Sequence, residues 1–217
     1  MVLESSRYVE RDASTGKDRL GSRILELGLS ALSKLDVYEV ARPYLRELVR
    51  ETGETSHIGV LRDGEIISIV NVESTQSIRT PSTVGTRHPA HSSALGKSIL
   101  AFSPAEDVEA FLAQSVLEAF TQNTLHSRAQ FIAEMEAVRQ AGYAIDDEEW
   151  EEGLRCIGAP VRSSSGEVIA SIAIAGPAFR LTRERLEILS KAVVEAADRV
   201  SADLGFRQQF VTTSHRS

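Results

Sequence analysis

Gly142-Tyr143-Ala144-Ile145-Asp146-Asp147-Glu148-Glu149-Trp150-Glu151-Glu152-Gly153-Leu154-Arg155-Cys156-Ile157-Gly158-Ala159-Pro160-Val161 is the stretch on which the reading of this 217-residue chain turns. Tyr143 to Asp146 and Cys156 to Val161 read as strands on either side of an acidic run. Ser163-Ser164-Ser165-Gly166 then turns the chain into a further strand, Val168 to Ala175. Strands joined by tight turns pair antiparallel, which argues against repeated strand-helix-strand units.

Upstream, Ser127 and Gln130 open a helix carrying Phe131, Met135 and Val138, and Gly142 ends it. Ser103-Pro104-Ala105-Glu106 reads as a cap, a first-turn proline and a capping-box acid ahead of Val108, Phe111 and Leu112. Further back, His57 to Leu61 and Ile66 to Val72 flank Asp63-Gly64, a two-residue hairpin signal. Asp36 with Glu39 starts another helix, in which Pro43 is expected to force a kink or a restart and which Gly53 stops. Ser22 is positioned to cap a helix whose Ile24, Leu25, Leu27, Leu29 and Leu32 cover more than one stripe, as a linker or dimer helix would. Tyr8 to Arg19 reads as a small hairpin turning at Gly16. Downstream, Leu186, Leu189, Val193, Ala197, Val200 and Leu204 form one apolar stripe on a last helix from Thr182, which is expected to pack on the sheet. The order predicts an α+β fold: a small hairpin and a linker helix, then a twisted antiparallel sheet flanked by helices.

Composition narrows the functions. A net charge of −7 with a sequence pI near 5.3 gives no overall attraction to phosphate backbones. One cysteine, Cys156, excludes an intrachain disulfide and any multi-cysteine metal cluster, and it fits a reducing, cytoplasmic setting. No apolar run approaches membrane-spanning length, so no membrane partner is expected.

The run from Gly142 to Val161 resembles the signature of the IclR family of bacterial transcription regulators: glycine, acid, glutamate, then cysteine, hydrophobe, small residue and hydrophobe at fixed gaps. Arg162 and Ser163 depart from its last positions. Gly85-Thr86-Arg87-His88-Pro89-Ala90-His91-Ser92-Ser93-Ala94-Leu95-Gly96-Lys97 is similar to the family's loop and helix start, and Ile174-Ala175-Gly176-Pro177 to the end of its last strand. The resemblance implies a GAF-like effector-binding domain over residues 35–210, a linker helix over 22–34 and a disordered tail over 211–217. Residues 1–21 resemble only the wing of the family's winged helix-turn-helix. With no recognition helix in the chain, operator DNA is expected as a partner only where an intact N-terminal domain is present.

The resemblance also places the effector. Ala94 and Leu95 fall where backbone amides at a helix N-terminus hold an anionic group. Asp146 falls on the signature acid that faces the effector, Cys156 on the cysteine that lines the pocket, and Leu154 belongs to the same set. Along the last strand, Ile169, Ser171, Ala173 and Ala175 share a small-residue face suited to a pocket floor. Alanines at 173 and 175, where relatives that sense small oxoacids can carry serine, imply a larger and partly apolar ligand such as an aromatic carboxylate.

The remaining candidates receive plainer readings. Ala94 and Leu95 could start an ordinary helix capped by Ser92 or Ser93, and Asp146 could be one more solvated acid. The rest of the acidic run, Trp150 included, reads as a solvated face. His88 and His91 read as loop residues, with no metal and no cofactor expected. No catalytic residue is assigned, because Cys156 as a nucleophile would need a base and a lowered pKa. Three functions remain: an effector-sensing domain in a homodimer or dimer of dimers, an inert dimerisation or adaptor module, and a thiol enzyme.

Overall fold

A computed structural model describes residues 6–12, 14–32, 36–80 and 83–207, so the expected tail over 211–217 lies outside it. The chain divides into two compact units, residues 1–39 and 40–217. In the first, β1 (Val9–Arg11) pairs antiparallel with β2 (Asp18–Leu20), as the turn at Gly16 predicts. Helix α1 (Ser22–Leu32) follows. Its first amide, on Ser22, donates to the Glu10 carboxylate at 3.1 Å, so the start is held by a strand acid and not by the Ser22 hydroxyl.

The second unit is an α+β fold around a six-stranded antiparallel sheet. Helix α2 (Asp36–Thr52) leads into β3 (Thr55–Arg62) and β4 (Glu65–Val72), joined at Asp63-Gly64. α2 runs through Pro43 without a restart, and the proline stands on the exposed side, where solvent can reach the carbonyl it leaves without an amide partner. A short β5 (Arg87–Pro89) and a 3₁₀ turn (Ala90–Ser92) precede α3 (Ala94–Ala101). Then come α4 (Ala105–Gln114), α5 (Arg128–Ala141), β6 (Ala144–Asp147), β7 (Leu154–Arg162), β8 (Val168–Pro177) and α6 (Arg183–Asp203). The strand order is β5-β4-β3-β8-β7-β6.

Two local starts deserve comparison. Ser127 and Gln130 form the reciprocal capping box at α5. Ser103 does not cap α4: its hydroxyl donates back to the Ile99 carbonyl at 2.9 Å, and Pro104 takes the cap position. The back-bond inside α3 wins because Ser103 lies within reach of that helix's last turn.

The sheet's two faces differ in what they bury. Ile157 and Ile174 pair across β7 and β8 beneath α2 and α6, where the Ser56 hydroxyl donates to the Leu45 carbonyl and the Arg162 amide to the Ser201 hydroxyl. On the other face α3 lies against the strands, with Leu95, Ile99, Phe131 and Met135 in one apolar cluster. A β-carbon on Gly158 would stand 3.0 Å from the Ala94 carbonyl group, so the start of α3 rests directly on the β7 backbone. A β-carbon on Gly96 would stand 2.1 Å from the Ala90 oxygen, so the 3₁₀ turn and α3 approach as closely as backbones can.

Two glycine replacements separate packing from backbone strain. Gly142 has φ 82° and nothing within 4 Å of an added β-carbon, so Gly142→Ala is expected to cost only the left-handed penalty, about 1 kcal/mol. Gly96→Ala must move the 3₁₀ turn, and the expected loss is about 3 kcal/mol, the upper range for overpacking. Urea unfolding of both variants reads the difference; equal losses would mean that the close approach at Gly96 is not a constraint.

Candidate functional site

Beyond the N-terminus of α3 the sheet continues uncovered by the helix, and a cavity of about 220 Å³ lies there. Register explains its floor. Asp146, Cys156 and Ala175 are direct neighbours across β6, β7 and β8. The adjacent row on the same face, Ala144, Gly158, Ala173 and His57, runs beneath or beside α3. Leu154 and Trp150 close one wall, His57 and His88 another, and Ser93, Ala94 and Leu95 present the helix start.

Six of the seven residues singled out in the sequence line this cavity: Ala94, Leu95, Asp146, Leu154, Cys156 and Ala175. Ala173 shares their face but packs with Leu95 and Ile99 in the apolar cluster, one row too far under α3 to form the floor. Among the lining residues missed were His57, His88 and Trp150, with Thr80, Thr86 and Glu151 beside them. His88 is not a loop residue: it sits on β5, opposite Ile66, with its ring edge-on to Trp150 at 4.6 Å and 86°. Its period-two position opposite an apolar strand was the available signal, but β5 is only three residues long. His91 lies elsewhere, in the 3₁₀ turn, hydrogen-bonded to the Glu118 carbonyl at 2.9 Å and stacked on Phe120.

At the helix start, Ser93 is the cap; its hydroxyl accepts the Gly96 amide at 3.1 Å and its carbonyl accepts the Lys97 amide at 2.9 Å. The two amides before these, on Ala94 and Leu95, are first-turn donors that a helix cannot satisfy from within. They therefore suit an anion.

Of the acidic run, Glu151 lines the cavity and is exposed, as is Glu152, whereas Asp146 and Glu149 are buried, and at Glu149 this departs from the reading as a solvated face. Asp146 is 2% exposed and accepts the Glu149 amide at 2.8 Å. Desolvation pushes its carboxyl up to about 7, against the pull of that amide and of Lys97. Behind it, the fully buried Lys97 ammonium reaches Glu149 at 2.5 Å and Glu134 at 2.9 Å. Burial alone would lower Lys97, but the two carboxylates more than offset it and the ion stays charged. His57 is held down to about 4, first by burial and then by repulsion from His88, which burial also lowers. Burial raises the Cys156 thiol well above its ordinary value, so it is a neutral packing group, opposite to what a thiolate nucleophile requires.

A wider groove of about 1100 Å³ runs past Asp63-Gly64, Phe102 to Pro104 and Ser165 to Val168. Its charged residues, Arg62, Asp63, Asp107 and Glu167, are partly or wholly exposed to solvent. The smaller cavity combines an apolar wall with convergent buried polar groups, the pattern of a ligand site, and is the better candidate for that reason. Among the described residues no cluster of three or more potential ligands could hold a metal ion.

A family profile described as bacterial transcriptional regulator IclR, C-terminal, matches residues 29–202. The chain belongs to the IclR family. It is 36% identical over 205 residues to the HTH-type transcriptional regulator KdgR of Escherichia coli K12, covering 94% of this chain and 78% of that protein. The crystal structure of Thermotoga maritima IclR superposes with a TM-score of 0.83 at 33% identity, over 94% of this chain and 83% of that one. An IclR homolog from Microbacterium hydrocarbonoxydans, solved in complex with 4-hydroxybenzoate, superposes with a TM-score of 0.82 at 25% identity, over 94% of this chain and 82% of that one. The fold is thus the GAF-like IclR effector-binding domain expected from the signature, and the curated relatives that the chain matches are transcriptional regulators. Among the described residues no helix is long and apolar enough to cross a membrane.

The shifted groups predict opposed pH dependences. Between its ordinary 3.8 and about 7, folded Asp146 holds a proton that the unfolded chain has lost, so its contribution to stability falls as pH rises through that window. Folded His57 lacks a proton that the unfolded chain holds between about 4 and 6.5, so its contribution is lost as pH falls. Urea midpoints measured from pH 4 to 8 should show Asp146→Asn gaining on the wild type as pH rises, and His57→Phe gaining as it falls. Parallel curves would refute both assignments.

Proposed function

We propose that the cavity takes a small carboxylic acid with an apolar, aromatic body. The single observation that carries this reading is the pair of first-turn amides on Ala94 and Leu95, residues that line a largely apolar cavity. The ligand carboxylate accepts from these amides. Asp146, protonated beside the anion, donates to it from the other side. Trp150, Leu154, Cys156 and Ala175, which form one apolar cluster with Ala94, cover the ring. The neighbour complexed with 4-hydroxybenzoate supports an aromatic acid by analogy.

In this reading residues 35–210 are the sensing domain of a cytoplasmic regulator, 22–34 its linker and 1–21 the wing hairpin of a winged helix-turn-helix. Effector binding shifts a homodimer or dimer of dimers between two arrangements by its differential affinity for them. Operator DNA is engaged through an intact N-terminal domain.

Isothermal titration of the chain with benzoate and with glyoxylate tests the ligand class. Benzoate is expected to bind more tightly, and Ala175→Leu, which fills the floor, to weaken it by about tenfold or more while the thermal midpoint of the unliganded chain holds. Tighter glyoxylate binding would overturn the aromatic assignment. Silence from both acids would overturn the carboxylate assignment itself.

A further inference from the structure

A bound carboxylate needs its charge balanced, and the wall of the cavity holds no permanent cation. Among the described residues that line it there is no lysine or arginine, and two are acids, Asp146 and Glu151. Glu151 is exposed, so water and salt screen its charge. Asp146 is buried, and an ionised carboxylate there would meet a bound anion with little water between them.

The groups around Asp146 do not supply the missing charge. Lys97 on α3 is the cation that pulls on it, but Glu149, from the loop after β6, holds that ammonium at 2.5 Å and Glu134 of α5 holds it at 2.9 Å. One ammonium against two carboxylates leaves no positive charge over. Cys156 of β7, the neighbour of Asp146 across the sheet, is a buried thiol held neutral. His57 of β3 and His88 of β5, in the opposite wall, are lowered by burial and carry no charge near pH 7. The amides of Glu149 and Trp150 favour the ionised carboxylate, and desolvation outweighs them.

Two carboxylates that share a buried space each raise the other's affinity for a proton. We infer that the site binds its anion together with a proton, taken from solvent and held by Asp146, because Glu134 and Glu149 commit Lys97 and leave that carboxyl without a counter-ion. The complex then keeps a proton that the free protein releases as pH rises, so affinity is highest at the acid end and falls as pH climbs through neutrality. The domain therefore reads pH and acid concentration together. This inference rests on the carboxylate assignment above.

The test is isothermal titration of the wild-type chain with benzoate from about pH 6 to about pH 9, in buffers of different ionisation enthalpy so that proton uptake is counted directly. Affinity should fall by about tenfold per pH unit above about 7, with about one proton taken up per benzoate bound there and far less at the acid end. Asp146→Asn, which carries a donor at every pH, should bind benzoate with an affinity that pH leaves unchanged. Glu134→Gln, outside the cavity, takes one carboxylate from Lys97 and should move the onset of the fall to lower pH. Constant affinity and no proton uptake in the wild type overturn the proton coupling while leaving the carboxylate site standing. A pH dependence that survives in Asp146→Asn overturns its placement at Asp146, and an unmoved onset in Glu134→Gln overturns the part given to the buried cluster. No binding of benzoate or glyoxylate at any pH overturns this inference and the carboxylate site together. If Asp146→Asn fails to fold, the carboxyl ¹³C resonance of Asp146 in the wild type decides: a titration that benzoate shifts to higher pH supports the proton's location, and one that benzoate leaves in place overturns it.

Discussion

The seating of α3 on the sheet is the contact from which the rest of the site follows. Gly158 removes the one β-carbon that would lift Ala94 away from β7, and Gly96 removes the one that would push the 3₁₀ turn away from α3. With both absent, the helix begins at the point where the sheet's small-residue face is still uncovered. The cavity is the gap so created, and the first-turn amides open onto it because a helix cannot bond its own first donors. Ala175, Cys156 and Asp146 form the floor by cross-strand register alone. A larger residue at 158 would displace helix, amides and floor together.

Beneath that arrangement lies a buried charge cluster. Lys97, one turn into α3, meets Glu149 from the loop after β6 and Glu134 from α5, tying three elements at a single ammonium. The geometry is tight, but Glu149 keeps one carboxylate oxygen without a partner, so the cluster is not fully satisfied. Buried ion pairs of this kind fix position more reliably than they add stability. Here the position fixed is that of Asp146, whose carboxylate accepts the Glu149 amide three residues along.

Much of this was legible in the sequence. The capping box at Ser127, the left-handed glycine at 142 and the two hairpins are local devices, readable because backbone geometry restricts which residues fit. The signature from Gly142 to Val161 pointed to three cavity residues, Asp146, Leu154 and Cys156, and the two shorter segments to Ala94, Leu95 and Ala175, because register carries spacing along β6, β7 and β8 directly into space. What escaped was set by tertiary contact. Nothing in the spacing of Lys97, Glu134 and Glu149 brings them together, and Glu149 looked solvated because its partner Lys97, 52 residues away in the chain, is invisible locally. Ala173 was placed on the correct face but in the wrong row, since strand alternation says which side a residue takes and not where a helix ends above it. His88 was lost in a three-residue strand too short to show its period.

The electrostatics of the site constrain its ligand further than its shape does. Lys97, the one buried cation among the described residues, is already opposed by two carboxylates, so the cluster behind the cavity carries no spare positive charge. The two histidines are neutral at physiological pH because burial holds both down, with repulsion from His88 adding to it at His57. Attraction for an anion therefore comes from the α3 amides and helix dipole, each hydrogen bond to a charged group contributing about 1.5–3 kcal/mol. An ionised Asp146 at about 4 Å from that anion would oppose it by about 4 kcal/mol at the effective dielectric of a protein site, comparable with the two amides together. Such a site accepts one negative charge only when Asp146 holds its proton, and a carboxyl pushed up to about 7 is the group that can do so near neutrality. The same balance disfavours a dianion, whose second charge would meet neutral rings and no cation at the far wall.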